Sequence, residues 1–96
     1  MAKFPAAALG LALIAAAVVA WAEPPPGAAS CSGCHPASTR VTSPVPRLAG
    51  LDQGAIVRAL QEFRSGARPA TIMDRIAKGL TDAEIEAIAA WYAAQK

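Results

Sequence analysis

Apolar residues recur with helical spacing in the second half of the chain. Ile56, Ala59, Leu60, Phe63 and Ala67 fall three or four positions apart, which places them on one face of a helix. Asp52 stands where a cap would accept backbone amides, and Gly66 lies near the expected end. The spacing predicts one amphipathic helix, and Pro69 breaks the pattern behind it. Residues 71–79 have helical composition and a terminating Gly79, enough for a turn or two. Thr81, Asp82, Ala83 and Glu84 fit a capping box, in which the Thr81 hydroxyl and the Glu84 carboxylate satisfy each other's backbone amides. Behind the box Ile85, Ile88, Ala89 and Tyr92 line one face, and Asp82, Glu84 and Glu86 put negative charge where the helix dipole favours it. No stretch alternates as a strand would, so the expected fold class is all-α.

The first third reads differently. Residues 4–22 carry no charge, are mostly Ala, Leu, Ile and Val, follow Lys3 and end in Ala20, Trp21 and Ala22. A short apolar run behind a positive residue, closed by a small-x-small site, is the pattern of a secretory signal peptide. Residues 1–22 are therefore expected to be removed on export to the periplasm. The alternative is a retained anchor, since nineteen uncharged residues could just cross a bilayer core of about 30 Å. Residues 23–29 contain three consecutive prolines and read as an extended lead-in. Residues 36–46, rich in proline and hydroxyls, read as a loop.

Composition sharpens this picture. Of 96 residues 54% are apolar, but much of that content lies in the leader. Removing 22 of the 96 leaves 74 for the domain of residues 23–96, a size at which an apolar core rarely supplies more than about 3–5 kcal/mol without a staple. Nine basic residues, Lys3 among them, face seven acidic ones, so the domain lacks the charge excess a nucleic-acid binder needs.

The chemistry sits in Cys31, Ser32, Gly33, Cys34 and His35. Cys-x-x-Cys-His is the attachment pattern of a c-type haem: two thiols add to the porphyrin vinyl groups and the adjacent imidazole reaches the iron. Two intervening residues in a helical turn set the sulfurs about as far apart as the vinyls. Other readings stay open. A thioredoxin-like redox pair needs a strand before Cys31, which the pattern lacks. A zinc site needs a fourth ligand beyond two cysteines and the single histidine. A disulfide between Cys31 and Cys34 would close a very small loop and stabilise little. None of these explains why the histidine directly follows the second cysteine.

Electron transfer calls for a second axial group, and Met73 is the one methionine downstream of the leader. Taken alone it would be a core filler; beside the haem motif it reads as the ligand opposite His35, which would raise the reduction potential. Haem c would also supply the missing core, since a buried porphyrin plate tethered at Cys31 and Cys34 acts as the staple. Arg64, Arg68, Arg75 and Lys78 crowd around Met73 in sequence. They read as a solvated face, as partners for haem propionates or as a docking surface for acidic groups.

Over essentially all of residues 23–96 the chain resembles the class I c-type cytochromes. Cys31, Cys34 and His35 match the haem-binding helix, and Pro46, Leu48 and Gly50 match a Pro-x-Leu-x-Gly segment. The resemblance implies a small fold of three to four helices around one covalent haem. It further implies that the Pro46 carbonyl accepts a hydrogen bond from the non-ligating nitrogen of His35, that Leu48 packs on the porphyrin and that Met73 is the distal ligand. It sets Trp91 and Tyr92 in the C-terminal helix against the N-terminal one. The run from Phe63 to Leu80, with Asp82 to Ile85 behind it, is similar to the cytochrome subunit of flavocytochrome c sulfide dehydrogenases. That likeness implies a haem subunit taking electrons from a sulfide-oxidising flavoprotein, with no catalytic residues of its own. A free soluble carrier, and a haem enzyme or gas sensor with an open iron position, are the alternatives.

Overall fold

The computed structural model describes residues 23–96 together with Lys3. The expected signal peptide, residues 1–22, otherwise lies outside the described residues. Four helices follow one another: α1 (Ala28–Cys31), α2 (Gln53–Ser65), α3 (Met73–Lys78) and α4 (Asp82–Ala94). There is no strand among the described residues, so the fold is the all-α one expected. No described helix is long and apolar enough to cross a membrane.

Local chemistry sets the helix ends. Asp52 caps α2 by accepting from the Ala55 amide at 3.0 Å, and Gly66 ends it in the left-handed region at φ 83°, where a glycine carries no steric penalty. The chain then folds back, with the Arg68 amide donating to the Glu62 carbonyl at 3.2 Å. Ala67, expected on the apolar face of this helix, therefore lies beyond it and is exposed. The capping box at α4 is present in full: the Glu84 amide donates to Thr81 Oγ1 at 3.2 Å and the Thr81 amide to Glu84 Oε1 at 3.3 Å. Asp82 and Glu84 lie in the first turn of α4, while Glu86 falls in the second. Gly79 ends α3 without a left-handed turn, at φ −82°.

The lead-in is shorter than the sequence suggests. Gly27, at φ 89°, turns the chain and α1 starts at Ala28. A Cβ at Gly27 would stand 3.4 Å from Ile88 Cδ1, so this glycine supplies both a left-handed turn and a close approach to α4.

α2 packs against α3 and α4, and the buried core comprises Ala28, Ile56, Leu60, Ala77, Ile85, Ile88, Ala89 and Tyr92. The four residues predicted to line one face of α4 are all in it. Tyr92 joins the chain ends: its hydroxyl donates to the Ala28 carbonyl at 2.6 Å and lies 2.9 Å from Ser32 Oγ, while its own carbonyl accepts from the Gly50 amide at 3.0 Å. Of the two aromatics of the C-terminal helix expected against the N-terminal one, Tyr92 makes that contact.

Burial pushes the Tyr92 phenol above its ordinary pKa of 10.0, outweighing the hydrogen bond with Ser32. Its neutral form is thus favoured by folding, and that stability is intact below the ordinary value and lost as pH rises through the raised one. Urea titrations of Tyr92→Phe should show a loss of about 1–2 kcal/mol near neutrality, from the unpaired Ala28 carbonyl. They should also show a shallower decline than the parent above about pH 10. Parallel alkaline limbs would remove Tyr92 from this role.

Candidate haem site

The site is built outward from α1. The Cys34 and His35 amides donate to the Cys31 carbonyl at 3.2 and 2.9 Å, and the Gly33 amide to Ser30 at 3.2 Å. The backbone therefore keeps a helical turn past the end of α1, and Cys31, Cys34 and His35 all border one cavity of about 800 Å³. Both thiols are free. Cys31 is half-buried, its Sγ–H pointing at the Gly27 carbonyl at 3.5 Å, and burial pushes its pKa up. A half-buried thiol with a raised pKa is a poor redox nucleophile, and no strand precedes it among the described residues, so the thioredoxin-like reading loses its structural context. Nor do three or more His, Cys, Asp or Glu side chains converge as a site for a bare metal ion among the described residues.

His35 is oriented by the loop that follows it. Its Nδ1 hydrogen-bonds the Pro46 carbonyl, an oxygen that can only accept, so Nδ1 carries the proton and neutral imidazole keeps its lone pair on Nε2. Arg47 holds the carbonyl in place by closing the loop, Nε donating to the Ala37 carbonyl at 2.9 Å. Leu48, half-buried against the core, borders the same cavity.

The opposite wall comes from the second half of the chain. Met73 opens α3, half-buried and packed against the core, and borders the cavity. Residues 69–72, leading into it, border the cavity too. Ala55, Ile56, Ala59, Leu60 and Phe63 of α2 and Ile88 of α4 complete an apolar surface. Leu51, Ile72 and Ile76, which are 43%, 50% and 41% exposed, also border it. Large aliphatic side chains left this open are rarely scattered together without cause; here they face a shared hollow.

The residues thus fit haem c. The cavity is in the size range of small-molecule sites, its wall is apolar, and its donors are two free thiols, one imidazole fixed in the right tautomer and one thioether. All six residues singled out from the sequence, Cys31, Cys34, His35, Pro46, Leu48 and Met73, border it.

The basic cluster does not stay together in space. Arg64 turns to the core side of α2, donating from Nη1 to the Leu80 carbonyl at 3.3 Å and pairing through Nη2 with Asp82. Arg68 borders the cavity and pairs with Glu62 at 2.8 Å. Arg75 and Lys78 are exposed and pair with no acid among the described residues. Arg58, which sequence reasoning missed, also borders the cavity. Its charge on a helix was visible in the sequence, but Ala55, three positions earlier on the same side of α2, is not on the face that the spacing picks out, and the place of Arg58 at the cavity comes from the fold.

No family model matches the chain. It is 41% identical over 87 residues to a thiosulfate dehydrogenase electron acceptor of Thiomonas intermedia, covering 88% of this chain and 40% of that protein. It is 45% identical over 67 residues to a protein of the same name in Stutzerimonas stutzeri, covering 68% of this chain and 31% of the relative. It is 40% identical over 63 residues to the cytochrome subunit of sulfide dehydrogenase of Chlorobaculum tepidum, covering 66% of this chain and 57% of the relative. The chain therefore spans less than two thirds of each of these relatives. Motif, helical fold and relatives agree, and together they support a small c-type cytochrome.

Proposed function

We propose that residues 23–96 form a monohaem electron-transfer domain, attached to haem c through Cys31 and Cys34 and ligating its iron through His35 and Met73. The observation that carries this reading is the convergence of those four side chains on one apolar cavity, with His35 Nδ1 hydrogen-bonded to the Pro46 carbonyl. When bound, haem supplies a one-electron couple. The chain's own residues do the rest: the Pro46 carbonyl fixes the imidazole through Nδ1 and leaves the Nε2 lone pair to hold the iron, and the thioether of Met73 would favour the reduced state and so raise the potential. Leu48, Ile56, Leu60 and Phe63 keep water from the centre. If His35 and Met73 both held the iron, no position on it would be left for a substrate, which favours a carrier over a haem enzyme or gas sensor.

The partner we infer is a dehydrogenase acting on a reduced inorganic sulfur compound, in the periplasm. Support comes from the names of the relatives, a thiosulfate dehydrogenase electron acceptor and a sulfide dehydrogenase cytochrome subunit, and from the leader-like residues 1–22. A flavoprotein that oxidises sulfide is the donor suggested by the run from Phe63 to Leu80. Mixing the oxidised protein with a sulfide-oxidising flavoprotein, or separately with a thiosulfate dehydrogenase, and following haem reduction optically tests the reading. Substrate-dependent reduction by either enzyme supports it; reduction by neither, under conditions where dithionite reduces the haem, contradicts it.

Docking has its own test. Arg75 and Lys78 are exposed cations on the short helix that Met73 opens, and complementary charge speeds encounter with an acidic partner. Arg75→Glu with Lys78→Glu should slow reduction by the partner about tenfold at low ionic strength, with the gap closing as salt rises and screening shortens the range of the field. A rate with the parent's salt dependence would exclude these residues from the docking face.

A further inference from the structure

The charge of the large cavity is one-sided. Among the described residues no aspartate or glutamate borders it, and its charged neighbours are Arg58 and Arg68; the other ionisable groups there are Cys31, Cys34 and His35. Arg68 is partly neutralised, with Nε and Nη2 each 2.8 Å from Glu62 Oε2 and its guanidinium 5.4 Å from the centroid of the Phe63 ring. Arg58, four positions before Glu62 on α2, pairs with no acid among the described residues. Cations beside an otherwise apolar hollow suit an occupant with an apolar body and anionic groups at one edge. A guanidinium presents a planar fork that matches a carboxylate, and haem c carries carboxylates at one edge of an apolar plate.

We propose that Arg58 and Arg68 hold the haem carboxylates, with Arg58 as the unshared cation that raises the reduction potential. The proposal rests on the haem reading above and assigns roles that the motif does not. The two arginines differ in consequence. Glu62 offsets the charge of Arg68, so loss of Arg68 mainly frees an acid beside the cavity, whereas loss of Arg58 removes a full uncompensated charge. A cation near the iron disfavours the more positive oxidised state, so its removal lowers the potential.

Potentiometric titration of the haem-loaded protein reads this out. Arg58→Gln should shift the reduction equilibrium about tenfold toward the oxidised form, about 59 mV for one electron. Arg58→Lys should recover most of the shift. Arg75→Gln, which removes the same charge outside the cavity, should move it far less. Equal shifts for Arg58→Gln and Arg75→Gln would overturn the proposal. A second reading uses the parent protein and does not depend on how the variants fold. With haem labelled by carbon-13 at its carboxyls, the infrared carboxylate band should persist below the ordinary carboxylate range near about pH 4. Protonation at ordinary values would overturn the pairing. A chain that shows no haem stain after denaturation would instead overturn the haem reading itself, so the two failures are distinguishable.

Discussion

Replacing both Cys31 and Cys34 with alanine is expected to abolish covalent haem attachment and to remove most of the native helical circular dichroism. The reason lies in how little the polypeptide buries by itself. Ile85 and Ile88 are the largest wholly buried side chains among the described residues, while Leu51, Ile72 and Ile76 face a hollow instead of a partner. A core of this size supplies at most about 3–5 kcal/mol, and an occupant bound only to the folded state adds to it directly. Without the thioether links, α2 and α3 lose the surface that their cavity-facing residues are built to cover. α1, four residues long, cannot persist alone. Far-ultraviolet circular dichroism of the double variant checks this, and a native-like helical spectrum would show that the chain folds without its staple.

Replacing Met73 is expected to have the second largest effect, on the spectrum and the potential more than on the fold. In Met73→Ala the weak ferric near-infrared band of His/Met ligation should vanish and carbon monoxide should bind the reduced protein readily. The potential should fall by on the order of 0.1 V or more, within the roughly 0.8 V that axial ligands span. Met73 also packs against the core, so the alanine variant mixes lost packing with lost ligation. Met73→Leu separates them: it keeps the volume, at a cost below about 1.5 kcal/mol, yet has no sulfur to offer. A Leu variant that keeps the band and the potential would return Met73 to the role of core filler.

The parts legible in the sequence were those governed by neighbours in the chain. Asp52, Gly66 and the Thr81–Glu84 box act within a few residues of where they stand, and the caps form as the pattern indicated. The Cys31 to His35 spacing likewise carries its meaning within one turn. What the pattern did not reveal depends on contacts across the fold. α1 begins inside the supposed lead-in because Tyr92, 64 positions away, donates to the Ala28 carbonyl. The basic residues around Met73 look like one face in sequence, but the turn at Gly66 sends them in different directions. Arg64 is drawn to Asp82 and the Leu80 carbonyl, and Arg68 stays at the cavity. Residues 69–72 have no periodicity to read, yet they form part of the cavity wall. Arg58 was visible as a charge on a helix, and its place beside the cavity is settled only by how α2 rolls against α3 and α4.

The central claim is that one haem is bound covalently at Cys31 and Cys34. The most direct measurement is the intact mass of the exported protein, taken under denaturing conditions that strip any non-covalent group. The expected result is the mass of the polypeptide plus one haem, returning to the bare polypeptide in the Cys31→Ala, Cys34→Ala variant. A parent protein with the bare polypeptide mass, produced in cells that mature other c-type cytochromes, would contradict it.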